Sequence, residues 1–298
     1  MKNFFHLRVS TGFFRQGFLK ILLLACFLPF FLSAQVRTTV LDGTDGNSLE
    51  NYIPYHESTP ISDVKLMPPV DVEAAIAEHD AAGREAPLYG VIIPVSLTKA
   101  DGEAIDKGRM IIWRMNIRSN GAVSLNFHLS NLSLPEGSEL YVYNEAGTMV
   151  SGPVTSAHAY EGLYATDIIS GEEVYLEAII PKHSFEVFDI MVHTVVHGFD
   201  MGAIDRSFGS SQLCEVDVNC PAGAAFANER DAVCRIFSGT AELCTGTMIN
   251  DDCQTLRSFM LTAEHCTNAN VTANWVMRFN YDSPNPTTPS CRGADAST

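Results

Sequence analysis

The sequence predicts a mainly β protein, in which an antiparallel β-sandwich is followed by a second β-rich part that contains cysteines. Three observations support this prediction. Apolar and polar residues alternate over short stretches between 88 and 197, turn-forming residues separate these stretches, and every cysteine after Cys26 falls between Cys214 and Cys291. A boundary between the two parts is expected in the glycine- and serine-rich segment 201–213.

Length and charge narrow the possible classes of protein. The 298 residues are enough for an export signal and about two domains. Residues 1–34 contain four of the 19 basic side chains and none of the 35 acidic ones, so the remaining chain has 15 basic and 35 acidic groups, a net charge of −20. Because phosphate backbones repel such a chain, the composition argues against nucleic-acid binding.

The N-terminus has the pattern of a signal peptide over residues 1–34. Basic residues precede an apolar run at 21–32, and Ala34 is a small residue suited to the cleavage site. The run is short for a membrane span, so we expect a secreted, extracellular protein that passes through the periplasm in transit and has no stable membrane association. An oxidising compartment then favours disulfides among the cysteines that follow.

Residues 35–87 are expected to form an extended lead-in with one helix over 71–83, because Asp71 is a good N-cap and Gly83 a good C-terminal stop. The sandwich is expected over 88–200. In residues 122–130, apolar side chains alternate with polar ones, which predicts a strand with one buried face. Six further strands are predicted here, at 91–97, 110–117, 139–143, 164–169, 174–180 and 187–196.

The second part, residues 214–298, contains the most informative motif. Its predicted strands are 232–237, 246–249, 259–263 and 275–281. Within them, Cys244-Thr-Gly-Thr-Met-Ile249 precedes Leu261-Thr-Ala-Glu-His-Cys266. The pair resembles the chymotrypsin/trypsin family, in which a Cys-Gly-Gly-Ser-Leu-type strand precedes a Leu-Thr-Ala-x-His-Cys strand end.

The surrounding residues narrow this resemblance. Cys214-Glu-Val-Asp-Val-Asn-Cys-Pro221, Glu229-Arg-Asp-Ala-Val233 and Trp275-Val-Met-Arg-Phe-Asn-Tyr281, together with Cys291, resemble the bacterial lysyl-endopeptidase-like branch over about residues 208–298. The region 114–197, for example Leu134-Pro-Glu-Gly-Ser-Glu-Leu-Tyr-Val-Tyr143, resembles the propeptide β-domain of such precursors.

The resemblance implies a zymogen whose second part is the incomplete first part of a chymotrypsin-like β-barrel, with the sandwich contacting it as a propeptide. His265 would be the general base of a Ser-His-Asp triad, acting on a protein or peptide substrate with possible lysyl preference and without cofactor or metal. The triad Asp and Ser would lie beyond Thr298, so this chain alone is expected to be inactive. Cleavage is expected near Arg206-Ser207 or Phe208-Gly209.

Glu264, the neighbour of His265, is not assigned as the triad acid. Adjacent residues of a strand point to opposite faces, so its carboxylate would not reach the His265 ring. We therefore expect Glu264 to be a surface or loop residue.

The resemblance also implies a disulfide scheme. Cys244 would pair with Cys266, and Cys220 would pair with Cys291. Cys234 and Cys253 are additional to that set and are predicted to pair with each other. Cys214 is then left unpaired by truncation, its partner being expected in the absent later half.

Three alternatives remain open from the sequence. The protein could be a secreted β-sandwich binding or adhesion protein with a non-catalytic protease-like domain. The sandwich could bind carbohydrate through surface aromatics such as Tyr141 and Tyr143. His193 and His197 have the spacing of helical zinc ligands, but they lie in a β-rich run without the glutamate of a zincin motif, which favours a structural role.

Overall fold

The computed structural model describes residues 36–43, 47–58, 61, 63–84, 86–200, 217–252, 259–267 and 272–281. All of them belong to one unit, Val36–Thr298. The predicted signal peptide 1–34 and the predicted processing segment 201–213 lie outside these ranges. In the part of the chain that is described, no helix has the length and apolar character needed to cross a membrane.

Sixteen strands and three α-helices, besides short 3₁₀ turns, are described in these ranges. In chain order they are β1 (Thr38–Val40), α1 (Leu49–Tyr52), β2 (Val64–Leu66), α2 (Val72–Ala81), β3 (Gly90–Thr98), β4 (Glu103–Asp106), β5 (Met110–Arg118), β6 (Ser124–Ser133), β7 (Glu139–Asn144), β8 (Met149–Val154), β9 (Tyr164–Ala165), β10 (Ile169–Ser170), β11 (Glu173–Pro181), β12 (Asp189–Gly198), α3 (Ala227–Asp231), β13 (Val233–Ser238), β14 (Ala241–Ile249), β15 (Phe259–Leu261) and β16 (Trp275–Phe279).

Two sheets form the sandwich. The first has the strand order β1-β8-β7-β11-β5-β2, and β4 also pairs with β5. The second has the order β10-β6-β12-β3, and β9 also pairs with β6. The pairing is antiparallel except between β2 and β5, which run parallel. The fold class is therefore mainly β, as the alternating sequence pattern predicts.

The sandwich core lies between the two sheets, where apolar side chains from both inner faces pack together. The first sheet contributes Trp113, Met115, Ile117, Leu140, Val142, Val174, Leu176, Ala178 and Ile180, and the second contributes Ile93, Leu125, Phe127, Leu129, Ile190, Val192 and Val195. β5, β7 and β11, and β6 from Leu125 to Leu129, contribute every second residue, because successive side chains of a strand point to opposite faces. In β12 the alternation shifts after Val192, where the pairing with β6 is irregular.

The outer face of the first sheet is also covered, by the lead-in. Leu41 and Ile53 from this segment are buried against Ile112, Tyr141 and Tyr143 of the sheet. Burial on both faces explains why β5, MIIWRMNIR, is buried from Ile111 to Ile117, including the polar residues Arg114 and Asn116 that alternate with its apolar ones. The lead-in is therefore a third layer of the sandwich, and it also supplies strands β1 and β2 to the sheet.

The helix predicted from its capping residues is α2. The Asp71 carboxylate accepts a hydrogen bond from the Ala74 backbone N–H at 2.9 Å, as an N-cap should. Gly83 follows the helix with a φ of +63°, a backbone conformation that suits glycine.

The remaining strands form a separate antiparallel sheet with the order β15-β14-β13-β16. Cys234 and Ile236 of β13 pack with Trp275 of β16 in a small buried cluster. Within the described ranges this sheet is open and is not a closed barrel. It is the structural counterpart of the predicted second part.

Candidate active site

His265 lies in a short 3₁₀ turn, Glu264–Cys266, that follows β15. The strand ends at Leu261, earlier than the sequence predicts, so His265 is not at a strand end. Glu264 is exposed in the same turn. Glu264 and His265 are therefore not the alternating strand neighbours that the sequence predicts, although the exposed position of Glu264 agrees with the expected surface or loop residue.

The turn is anchored to the neighbouring strand by a disulfide. Cys266 and Cys244 of β14 are bonded to each other with their Cα atoms 6.1 Å apart, the pairing that the resemblance implied. The Thr262 hydroxyl donates to the Thr245 carbonyl oxygen at 2.9 Å. The Cys266 N–H donates to the Ala263 carbonyl oxygen at 3.0 Å and closes the turn. Together these bonds limit where the His265 backbone can move.

Gly246, two residues after Cys244, has no room for a side chain. A Cβ placed on this residue would lie 2.7 Å from Met260 Sδ and 3.1 Å from Ile236 Cδ1. Such contacts are too close for the side chains as they pack. The glycine in Cys244-Thr-Gly246 therefore allows the Met260 side chain to pack over the strand beside the histidine turn.

The His265 side chain is exposed. One of its ring nitrogens lies within 4.8 Å of the Cys244 and Cys266 sulfurs. Because both sulfurs belong to a disulfide, they are not thiolate ligands, and the three residues do not form a metal-binding set. No residue in the described part of the chain hydrogen-bonds the imidazole, which leaves both ring nitrogens available to other groups.

Cys234 is a buried free thiol, which contradicts the predicted pairing of Cys234 with Cys253. The β-sheet register places Cys234 opposite Gly246 on one side and Phe279 on the other. Its side chain points into the cluster that contains Ile236 and Trp275. Burial raises the pKa of the Cys234 thiol, so the group behaves as a small core residue.

The other predicted cysteine assignments can be placed only in part. Cys220 is buried and disulfide-bonded. Cys214, Cys253 and Cys291 lie outside the described residues, so the pairing of Cys220 with Cys291 and the unpaired state of Cys214 stay predictions.

The aromatic residues considered for carbohydrate binding are not at the surface. Tyr141 and Tyr143 are buried beneath the lead-in. The Tyr143 hydroxyl donates to Glu177 at 2.8 Å, and burial raises the pKa of Tyr143. The structure therefore removes these two residues as an exposed sugar-stacking surface.

His193 and His197 lie on β12 and not on a helix. His197 is buried, with its Nδ1 2.7 Å from the Ser119 hydroxyl, and burial lowers the pKa of this imidazole. The His193 ring instead neighbours the His128 ring, with their centroids 5.9 Å apart. The two histidines thus have separate partners, in keeping with the structural role that the sequence favours.

A contact between the four-stranded sheet and the sandwich could not be found from the sequence. Arg278 of β16 donates from Nε to the Asp167 carboxylate at 3.0 Å, and from a terminal nitrogen to the Ile168 carbonyl oxygen at 3.3 Å. Tyr89 donates from its hydroxyl to the Gly239 carbonyl oxygen at 2.8 Å. Nothing in the local sequence pattern marks these residues, because they come together only through the tertiary fold.

The fold and the histidine turn define a mainly β protein that presents an exposed imidazole beside a disulfide. Residues 208–298 match the family model described as "Lysyl endopeptidase, C-terminal domain". The matched residues include the whole four-stranded sheet and the turn at His265. The match supports a lysyl-endopeptidase-like protein, in agreement with the resemblance seen in the Leu261–Cys266 motif.

Proposed function

We propose that this chain is the N-terminal part of a secreted serine endopeptidase precursor, and that His265 is its general base. The observation that carries the proposal is the exposed His265 imidazole in a disulfide-anchored turn, within a region that matches the lysyl endopeptidase model. We assign the serine and the aspartate of the triad to no residue of this chain. In the proposed precursor they would belong to a longer protein.

The proposed chemistry is acyl transfer to serine. As the serine oxygen attacks the peptide carbonyl carbon, the His265 imidazole takes the hydroxyl proton. The same imidazolium then gives that proton to the departing amide nitrogen, and the acyl-enzyme is hydrolysed by water in the reverse sense. An imidazole suits both steps because it can gain and lose a proton near neutral pH.

Two further features belong to the same proposal. Residues 35 to about 206 would be a propeptide whose covalent link to the protease part is cut in the 200–213 region. Preference for lysine before the cleaved bond is proposed from the description of the matched family. The acidic chain, with 35 acidic and 19 basic residues, would favour the approach of basic peptides through its overall field.

The test is a substitution in the full-length secreted protein. His265→Ala should lower kcat/KM for a lysyl peptide by at least about ten-thousandfold, because the attacking serine loses its base. His183→Gln is the matched control, since His183 is an exposed imidazole on the sandwich, and it should leave kcat/KM unchanged. Equal activity of the His265→Ala variant and the unsubstituted protein would exclude His265 as the base.

The proposed cleavage site and the proposed lysyl preference need separate measurements. N-terminal sequencing of the secreted enzyme should find a start between residues 200 and 213, and a start elsewhere would remove the proposed boundary. Comparison of kcat/KM for peptides that differ only in lysine, arginine or alanine before the cleaved bond tests lysyl preference directly.

A further inference from the structure

The polar face of the second sheet is buried, although its alternating pattern predicts an exposed face. Ser124, Asn126 and His128 all belong to β6 and are at most 3% exposed. Close to this face, Phe237 of β13 and Val276 of β16 are buried in one cluster with sandwich residues. A polar sheet face against another body is more typical of an interface between folded units than of a domain core.

Three kinds of contact join the sandwich to the four-stranded sheet. The first is a backbone hydrogen bond between the two parts: the Tyr89 N–H donates to the Thr240 carbonyl oxygen at 2.9 Å. The rings of Tyr89 and Phe237 meet edge to face with centroids 5.6 Å apart. The third contact is the ion pair of Asp167 with Arg278, whose side chains are only 17% and 14% exposed.

In the described residues, the contacts of this interface lie toward the β13 and β16 side of the four-stranded sheet. The contacting residues belong to β13, to the β13–β14 turn, to the start of β14 at Ala241, which bridges to Leu88, and to β16, whereas His265 follows β15 at the opposite edge. Three interstrand spacings separate the two edges, a distance of about 14 Å. The His265 side chain is exposed while the sandwich is in place. The contact with the sandwich therefore leaves this imidazole open.

We propose that the sandwich surface formed by Tyr89, Asp167 and Ile168 is a docking surface for the segment 217–281 that does not require the covalent connection through 201–213. The sandwich then acts as a bound, non-occluding subunit: it holds the β13–β16 side of the sheet and leaves the His265 turn accessible. The functional importance of that turn rests on the proposed protease activity, whereas the docking itself does not.

The docking is tested in the full-length protein with a recognition sequence for a site-specific protease placed within residues 201–213. After cutting, the sandwich and the remainder should co-elute in size-exclusion chromatography at micromolar concentration. Separation of the two pieces under these conditions would overturn the proposal. The readout is binding and not catalysis, so an inactive protein gives the same answer about docking.

Two substitutions show whether the named surface is responsible. Asp167→Asn removes one charge from the largely buried pair with Arg278 and should weaken association of the cut pieces by at least about tenfold. Asp106→Asn breaks an exposed pair with Lys182 on the far sheet and should leave the affinity unchanged. Equal affinities for the Asp167→Asn and Asp106→Asn proteins would show that docking does not use this surface.

The accessibility of His265 in the docked protein is measured separately. Diethyl pyrocarbonate modifies accessible imidazoles, and mass spectrometry measures the rate at each histidine. His265 should be modified in the cut, associated protein at a rate within about twofold of that in the separated pieces, because it is exposed in the associated form. Strong protection of His265 that disappears on separation would contradict a non-occluding arrangement.

Discussion

The Tyr89 hydroxyl donates a hydrogen bond of 2.8 Å to the Gly239 carbonyl oxygen, across the boundary that the sequence predicts between the two β-rich parts. Burial raises the pKa of Tyr89, so the phenol stays protonated and remains a donor at neutral pH. The described parts on either side of 201–213 are therefore joined by specific polar contacts.

The first prediction concerns this hydrogen bond. Tyr89→Phe should lower the free energy of unfolding by about 1–2 kcal/mol, because the partly buried Gly239 carbonyl oxygen loses its donor while the ring packing is kept. Urea unfolding of the full protein measures the change. Tyr160→Phe serves as the control, since Tyr160 is 69% exposed, and should change stability by less than about 0.5 kcal/mol.

The second prediction concerns the buried carboxylate of Glu177. Its two oxygens lie 3.2 Å from His56 Nδ1 and 2.8 Å from the Tyr143 hydroxyl, and Arg114 Nε is 3.8 Å away. Glu177→Gln should cost about 3 kcal/mol, because the buried Arg114 guanidinium loses the negative charge beside it. Differential scanning calorimetry should show a lower melting temperature.

Glu186→Gln is the matched control for the Glu177 experiment. Glu186 is exposed, and none of the described residues pairs with it, so its charge is already solvated by water. If both substitutions lowered the melting temperature equally, the loss of stability would come from the change in net charge and not from the buried pair of Glu177 with Arg114.

The third prediction is a pH dependence of stability. Burial, and then the neighbouring His193, lower the pKa of His128 to about 4, well below the ordinary value of about 6.5. The unfolded chain therefore binds the proton more readily than the native one across this window. The contribution of neutral His128 to the free energy of unfolding is fully present above pH of about 6.5, and it is lost as the pH falls toward about 4.

The measurement is urea unfolding as a function of pH. Between pH of about 6.5 and about 4, the unsubstituted protein should lose up to about 3 kcal/mol more than the His128→Gln protein. His183→Gln removes an exposed imidazole and should keep the full pH dependence. Parallel pH profiles for the His128→Gln and unsubstituted proteins would rule out His128 as the titrating group.

The fourth prediction concerns the Cys244–Cys266 disulfide, which closes a loop with a sequence separation of 22. Replacing both residues with serine should lower the free energy of unfolding by about 3 kcal/mol in the chain-entropy model. Hydrogen exchange should rise most at residues 259–267, because the turn at His265 loses its anchor. A uniform rise throughout the described ranges would indicate a global effect instead.

The fifth prediction tests the free thiol of Cys234. An alkylating reagent should leave Cys234 unmodified in the native protein, because the side chain is buried, and should modify it in denaturant without reductant. Cys244 and Cys266 should react only after reduction, which provides the internal control. A Cys234–Cys253 peptide in a non-reducing digest would contradict the free thiol.

The sandwich strands were predictable because local alternation determines them. The pattern over 110–117 corresponds to β5, and that over 174–180 to β11, within one residue at each end. In contrast, β8 escaped prediction because Gly152 and Pro153 lie within it, and both residues usually indicate a turn. The predicted strand 164–169 is divided into β9 and β10.

Long-range packing explains what the sequence could not show. The lead-in covers the first sheet because Leu41 and Ile53 find an apolar surface there, and no local pattern encodes that partner. Likewise, the cysteine pattern predicts a bond between Cys234 and Cys253, whereas the β13 register directs the Cys234 side chain into the buried cluster. The histidine turn was recognisable because its motif is contiguous, from Leu261 to Cys266.

The shared cluster at the interface has an evolutionary consequence. Tyr89, Ile168 and Val196 come from one part of the chain, and Phe237 and Val276 come from the other, yet they fill a single space. A change of volume on one side requires compensation on the other. Among related genes these positions should therefore covary, and chimaeras joined within 201–213 should fold poorly unless both sides of the cluster come from the same parent.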